Sequence, residues 1–206
     1  MKYLKFFSIS FFIIILDQLT KMMVHHWMIL GSNGQIKLIG NWFKLHYTLN
    51  PGMAFGMAFG GEYGKLFLSV FSIIAMFGIG YYLFFLIKSN LHPGLLICVS
   101  MIFGGALGNI IDRTFYGIWL DNAPSDAITP FLHGQVIDMF YIDIWEGIVP
   151  QWFPFLGGQY YSLWPIFNIA DASIFSGVVI IFIFHNRFFK KETTEISESN
   201  TSGQTA

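Results

Sequence analysis

Charge is what this chain has least of. Only 11% of its 206 residues are Asp, Glu, Lys or Arg, against about 25% in a soluble domain, and that shortfall excludes an ordinary water-facing surface. An excess of either sign is also missing. The formal net charge is −1, without the basic footprint that a nucleic-acid partner requires. The single cysteine, Cys98, closes no internal disulfide and leaves the redox compartment unreadable. Between Ile97 and Val99 it reads as a buried, inert thiol. Neither Gly-x-Ser-x-Gly nor His-Glu-x-x-His occurs, so a serine-elbow hydrolase and a His-based zinc peptidase find no support. His25 and His26 look interfacial, while His46, His92 and His185 lack partners at ligand spacing. His133 falls in a loop and reads as solvated. No internal repeat is visible.

What is present is apolar. Hydrophobic residues make up 54% and aromatics 19%, with a mean hydropathy of +0.58, which places the chain among membrane proteins. A helix crosses a bilayer with about 20 apolar residues, and four segments qualify: about 4–27, 66–87, 93–111 and 165–185. Within the first, the apolar stretch Phe6–Leu16 is followed by Asp17-Gln18-Leu19-Thr20-Lys21 rather than by small residues of a cleavage site, so the segment reads as an uncleaved helix. Lys2 and Lys5, then Lys88, then Arg187, Lys190 and Lys191 fall on one side of this four-span plan. By the positive-inside rule that side is cytoplasmic, with both termini. The connection 114–164 has no Lys or Arg and five acids, which fits the outer side.

Two stretches outside the spans have a pattern. Phe43, Leu45, Tyr47 and Leu49 alternate with Lys44, His46, Thr48 and Asn50, the period of a strand with one apolar face. An outer β segment over about 35–60 is expected. The run Trp145–Trp164, rich in aromatics, Pro and Gly, reads as an interfacial loop. Residues 192–206 are Ser, Thr, Glu and Gln, the composition of a disordered tail. The expected fold is therefore an all-α integral membrane domain over 1–191, four transmembrane helices with a small extracytoplasmic β-rich cradle between helices one and two.

The few polar residues of the spans gather near the outer helix ends. Asp17 and Lys21 are i, i+4; Asn109, Asp112 and Arg113 are i, i+3 and i+4; Asn168 and Asp171 are i, i+3. Each set shares a helix face. Separate burial in lipid would cost several kcal/mol apiece, so convergence is expected. Plainer roles stand beside this one: a structural ion pair for Asp17 and Lys21, a membrane-boundary mark for Asp112 and Arg113, a helix N-cap for Asn168. Gly104, Gly105 and Gly108 read as a face for close helix packing. Asp138, in Val136-Ile137-Asp138-Met139-Phe140, is a further acid in an apolar setting. Two aspartates brought together cannot both ionise easily, so they share a proton and serve as acid and base toward a water. A carboxylate-only metal site from Asp112, Asp138 and Asp143 is the weaker alternative.

Five blocks, read in order, resemble the lipoprotein signal peptidase (signal peptidase II) family. They are Asp17-Gln18-x-Thr20-Lys21; Asn50-x-Gly52-x-Ala54-Phe55-Gly56; Gly104-Gly105-Ala106-x-Gly108-Asn109-x-x-Asp112-Arg113; Val136-x-Asp138-x-Phe140; and Phe167-Asn168-x-Ala170-Asp171. The resemblance implies an aspartyl endopeptidase of the bacterial inner membrane, cutting the signal peptide from diacylglyceryl-modified prolipoproteins just before the lipidated cysteine. It implies Asp138 and Asp171 as the catalytic pair. Substrate-binding or supporting roles fall to Asp17, Lys21, Asn50, Gly52, Asn109, Asp112, Arg113, Asn168 and Ala170. It also implies no metal or other cofactor, inhibition by globomycin-type peptides, contact with membrane lipids and a monomer. Pro51 after Asn50, and long connections on either side of Asp138, depart from the family's usual pattern; Asp138, arriving from a long loop, is expected to be the more mobile half of the pair. The competing reading is a small membrane transporter or channel subunit, which needs polar groups at the bilayer midplane.

Overall fold

The computed structural model describes residues 2–52, 61–89, 91–153, 157–158 and 160–189. The expectations for Ala54-Phe55-Gly56, for Lys190 and Lys191 and for the tail lie outside the described residues. In chain order the elements are α1 (Lys2–Trp27), β1 (Ile36–Ile39), β2 (Phe43–Asn50), α2 (Gly61–Lys88), α3 (Pro93–Ile111), α4 (Gly117–Trp119), β3 (Val136–Ile142), β4 (Glu146–Ile148), β5 (Tyr160–Ser162), α5 (Ile169–Ile183) and α6 (His185–Phe188).

Among the described residues three helices are long and apolar enough to cross a membrane: α1, α2 and the helix that runs from Pro93 through α4 to Trp119. The fourth apolar helix, α5, has 15 residues. It starts at Ile169 rather than near Pro165, because Asn168 caps it and Phe167 before it is committed to a β-bridge with Phe140. Outward-facing Phe11, Phe12, Phe67, Phe71, Phe77 and Phe182 give the helices an apolar exterior, as expected where the solvent is lipid.

α3 is the hub. Pro93 opens it at a position that needs no N–H, and His92 Nδ1 accepts from the Gly94 N–H at 3.1 Å. Its glycines set the spacing of its neighbours. A Cβ on Gly104 would lie 2.8 Å from Ser10 O in α1, one on Gly105 would lie 2.4 Å from Ala170 O in α5, and one on Gly108 would lie 2.6 Å from Asp17 Oδ2. Small residues thus let three backbones meet, the packing available where lipid supplies no hydrophobic drive between helices. Beyond Ile111 the helix continues, where the sequence suggested an end, through a π turn over Asp112–Tyr116. There the carbonyls of Arg113 and Thr114 accept from Gly134 N at 2.9 Å and Leu132 N at 3.2 Å, so the loop leading to β3 is stitched to the helix end.

The alternation of residues 43–50 does form a strand, and its partner is the finding that sequence reading missed. β2 is the middle strand of an antiparallel sheet in the order β1-β2-β3, so the cradle is built from both outer connections and not only from the one between α1 and α2. Asn50 pairs with Val136, Thr48 with Asp138 and Leu45 with Phe140, with an irregularity between Leu45 and Thr48. The reach from Trp145 to Trp164, expected to be a plain loop, contains the β4–β5 hairpin. Tyr141 O–H ties it to the sheet by donating to Glu146 Oε2 at 2.6 Å.

Candidate active site

β3 presents Asp138. Strand alternation sends Ile137 and Met139 into an apolar cluster with Val24, Tyr47 and Tyr116, and so sends Asp138 to the opposite face. The site is closed in all the same, for Asp138 is only 2% exposed. Its Oδ1 accepts from Asn168 Nδ2 at 2.7 Å and its Oδ2 from Asn50 Nδ2 at 3.1 Å. Phe140 N and Phe167 O (2.8 Å), and Phe167 N and Phe140 O (3.0 Å), bond the strand to the residue preceding the α5 cap. Asp138 is therefore held on a buried strand, hydrogen-bonded at both carboxylate oxygens.

Asp171 sits in the first turn of α5, where a negative charge suits the helix dipole. Asn168 and Asp171 form a capping box: Asn168 Oδ1 accepts from Asp171 N at 2.8 Å, and Asp171 Oδ2 accepts from Asn168 N at 3.3 Å. Asp171 Oδ1 accepts from Asn109 Nδ2 at 2.7 Å. With its other hydrogen-bonding atom Asn168 reaches Asp138 and also Asn109 Oδ1, the latter at 3.2 Å. One asparagine thus links both acids. Burial first, and then the negative charge of Asp171, push the Asp138 carboxyl up to about 7, against the hydrogen bonds from Asn50 and Asn168 that favour its ionised form.

Beneath the pair lies a fully buried charge cluster. Lys21 Nζ is 2.7 Å from Asp17 Oδ2 and 2.7 Å from Asp112 Oδ2, with all three side chains at 0% exposure. Lys21 also donates to Asn109 Oδ1 at 3.1 Å. Both acids also bond backbone: Asp17 Oδ1 accepts from Ala170 N at 2.9 Å and Asp112 Oδ2 from Ile137 N at 3.3 Å. The cluster therefore clamps α1, α3, α5 and β3 at the residues that flank the two aspartates. Gln18, passed over as a candidate although it stands in the first block, donates to Asp112 Oδ1 at 2.9 Å and accepts from Tyr116 O–H at 2.9 Å.

Arg113 approaches from the side of α2. Its Nη1 donates to Ser72 Oγ at 3.3 Å, and it lies in electrostatic range of Asp171, Asp112 and Asp138. Asn50 also shapes this wall, because its Oδ1 accepts from Gly52 N at 2.9 Å in a tight turn. Gly52 has φ +91°, and a Cβ there would lie 2.7 Å from Leu68 Cδ2 and 3.6 Å from the Arg113 guanidinium. His133, expected in solvent, is 3% exposed, buried because the 132–134 segment pairs with the π turn.

Next to Asp171 an apolar groove of about 480 Å³ runs along Trp164, Phe167, Ala172 and Phe175. The carboxylate metal set does not assemble. Asp112 is taken by Lys21 and Gln18, and Asp143 by Lys44 at 2.5 Å. Among the described residues no group of three His, Cys, Asp or Glu is placed to hold a metal ion. The geometry offers one buried and one half-buried carboxyl in electrostatic contact, amide donors that orient both, and a nearby cation.

This chain is similar over residues 9–187 to the family described as Signal peptidase (SPase) II. The lipoprotein signal peptidase of Amoebophilus asiaticus is 46% identical to it over 201 residues, covering 95% of this chain and 85% of that protein. The lipoprotein signal peptidase of Porphyromonas gingivalis is 37% identical, covering 85% of this chain and 80% of that one. Two solved bacterial membrane enzymes have a similar structure: one with TM-score 0.57 at 27% identity, covering 91% of this chain and 92% of that one; the other with TM-score 0.59 at 28% identity, covering 87% and 90%.

Proposed function

This chain belongs to the signal peptidase II family, and from that premise we propose that Asp138 and Asp171 are the acid–base pair with which it cuts. It is a bacterial membrane protease that cleaves the signal peptide of prolipoproteins. The observation that supports the catalytic assignment is the shared asparagine: Asn168 bonds Asp138 at 2.7 Å while closing a capping box with Asp171. Two acids on different elements have no structural reason to be held within one side chain's reach, and the arrangement suits a pair that shares one proton.

In this reading Asp138 carries the shared proton and Asp171 is the base. Asp171 takes a proton from a water, the water oxygen bonds to the scissile carbonyl carbon, and Asp138 gives its proton to the carbonyl oxygen. As the tetrahedral intermediate collapses, the C–N bond breaks, Asp171 returns its proton to the departing amine of the cysteine residue, and Asp138 takes back a proton from one hydroxyl of the intermediate as the C=O bond re-forms. Arg113 offers a fixed fork of donors to a substrate carbonyl. The apolar groove beside Asp171, lined by Trp164, Phe167 and Phe175, suits the acyl chains of a diacylglyceryl-modified cysteine. The enzyme spans the membrane four times as a monomer, with both termini cytoplasmic and the site near the outer face. Its partners are prolipoproteins and membrane lipids, a globomycin-type peptide blocks the site, and the reaction uses no cofactor. The transporter reading has no comparable support.

The test is direct. Asp138→Asn and Asp171→Asn are each expected to lower cleavage of a diacylglyceryl-modified prolipoprotein by about 10²–10⁴-fold, with membrane insertion unchanged. Near-normal turnover by either variant overturns the assignment.

A further inference from the structure

Among the described residues the Arg113 guanidinium donates to Ser72 through Nη1. Its Nε–H is buried and has no partner among the described residues, and a buried donor of a charged group is rarely left without an acceptor. His133 lines the same cavity as Arg113. The bonds from Gly134 N to Arg113 O and from Leu132 N to Thr114 O place His133 beside Arg113 through backbone alone. Leu132 adopts φ +65° to make this possible, a conformation that a branched side chain takes only under constraint. Gly134 is required by the same approach, since a Cβ there would lie 2.2 Å from Asp112 O.

The imidazole has a fixed sense. His133 Nδ1 is 3.1 Å from Phe131 O. A carbonyl oxygen only accepts, so Nδ1 carries the hydrogen and the neutral ring presents a lone pair at Nε2. That Nε2 is buried and without a partner among the described residues. Arg113 and His133 line the same cavity of about 10 Å³, together with Ser69, Gln135 and Pro51. This is the space of one water, with a donor offered by one residue and an acceptor by the other. We propose that His133 is a positioning residue for Arg113, joined to it by one bound water that accepts from Arg113 Nε–H and donates to His133 Nε2. With Ser72 on Nη1 and the water on Nε, the guanidinium plane is fixed from two sides and its remaining N–H groups are free to face a substrate. The inference rests on the reading of Arg113 as a substrate-facing group.

Two measurements decide it. A crystal structure of the intact protein is expected to show water density within hydrogen-bonding reach of both Arg113 Nε and His133 Nε2; a dry cavity, or a direct protein partner on either atom, overturns the bridge. In kinetics, His133→Phe keeps the ring's bulk and removes the acceptor, whereas His133→Gln returns an acceptor near the place of Nε2. His133→Phe is expected to lower kcat/KM for prolipoprotein cleavage about tenfold, the worth of one hydrogen bond to a charged group. His133→Gln is expected to recover most of that loss. On an Arg113→Lys background, which lacks the Nε–H, His133→Phe should change the rate less than about twofold. Wild-type turnover by His133→Phe, or full additivity with Arg113→Lys, overturns the positioning role. Where a variant does not accumulate or the background is inactive, the density decides. Absence of cleavage by the wild-type protein with the water in place counts against the proposed function and leaves this bridge standing.

Discussion

Asn168 shows how much one side chain carries here: it starts a helix, bonds one acid and fixes the backbone against the other. The acids that it joins differ in surroundings, and that difference has a measurable sign. Burial and the neighbouring charge raise the Asp138 carboxyl to about 7. An acid that must be protonated to act loses activity as pH rises through its raised pKa. Prolipoprotein cleavage is therefore expected to fall above about pH 7, with an upper limb that belongs to the pair as a unit; a rate flat from pH 6 to about 9 would count against this. The Lys21 cluster makes a different statement, about stability. Lys21→Met leaves Asp17 and Asp112 buried at 0% exposure without their cation, and breaking such a cluster on one side costs about 3–5 kcal/mol. A large drop in the unfolding temperature in detergent is expected.

Among elements, the contact of α3 with α5 sets the separation of Asn109 from Asp171. Gly105→Ala would drive a methyl to 2.4 Å from Ala170 O, a backbone atom that cannot rotate away. Overpacking of this kind costs about 1–3 kcal/mol, and cleavage should fall with it as the 2.7 Å bond from Asn109 to Asp171 is stretched; an unfolding temperature and rate equal to wild type would show that the helices can part freely. The helices were legible in the sequence because a long apolar run has few meanings, and β2 because alternation has one. β3 was not, since Val136–Ile142 is apolar almost throughout apart from Asp138, and its partners Thr48 and Phe167 are distant in the chain. The candidate acids and amides could be read from their spacing and their resemblance to a family. The π turn at Asp112–Tyr116 and the burial of His133 could not, because both arise from close backbone approach at Gly117 and Gly134.

At the scale of the molecule, the exterior is apolar and the polar groups are turned inward. The orientation proposed for it can be tested with cysteine labelling, since Cys98 is buried and contributes little background. Asp126→Cys, at an exposed outer position, should react with an impermeant maleimide in intact cells, and Ser89→Cys, in the turn after α2, only after permeabilisation; the reverse pattern would invert the topology. The sheet carries one last consequence, for biosynthesis. Asn50 and Asp138, which meet at the site, are 88 residues apart, and α2, α3 and α4 are made between them. At about 5–20 residues per second, β2 emerges several seconds before its partner strand exists. Asp171 comes later still. On the proposed pairing, a nascent copy whose α5 has not yet been made lacks one of its two acids, so the site assembles only late in the synthesis of the chain.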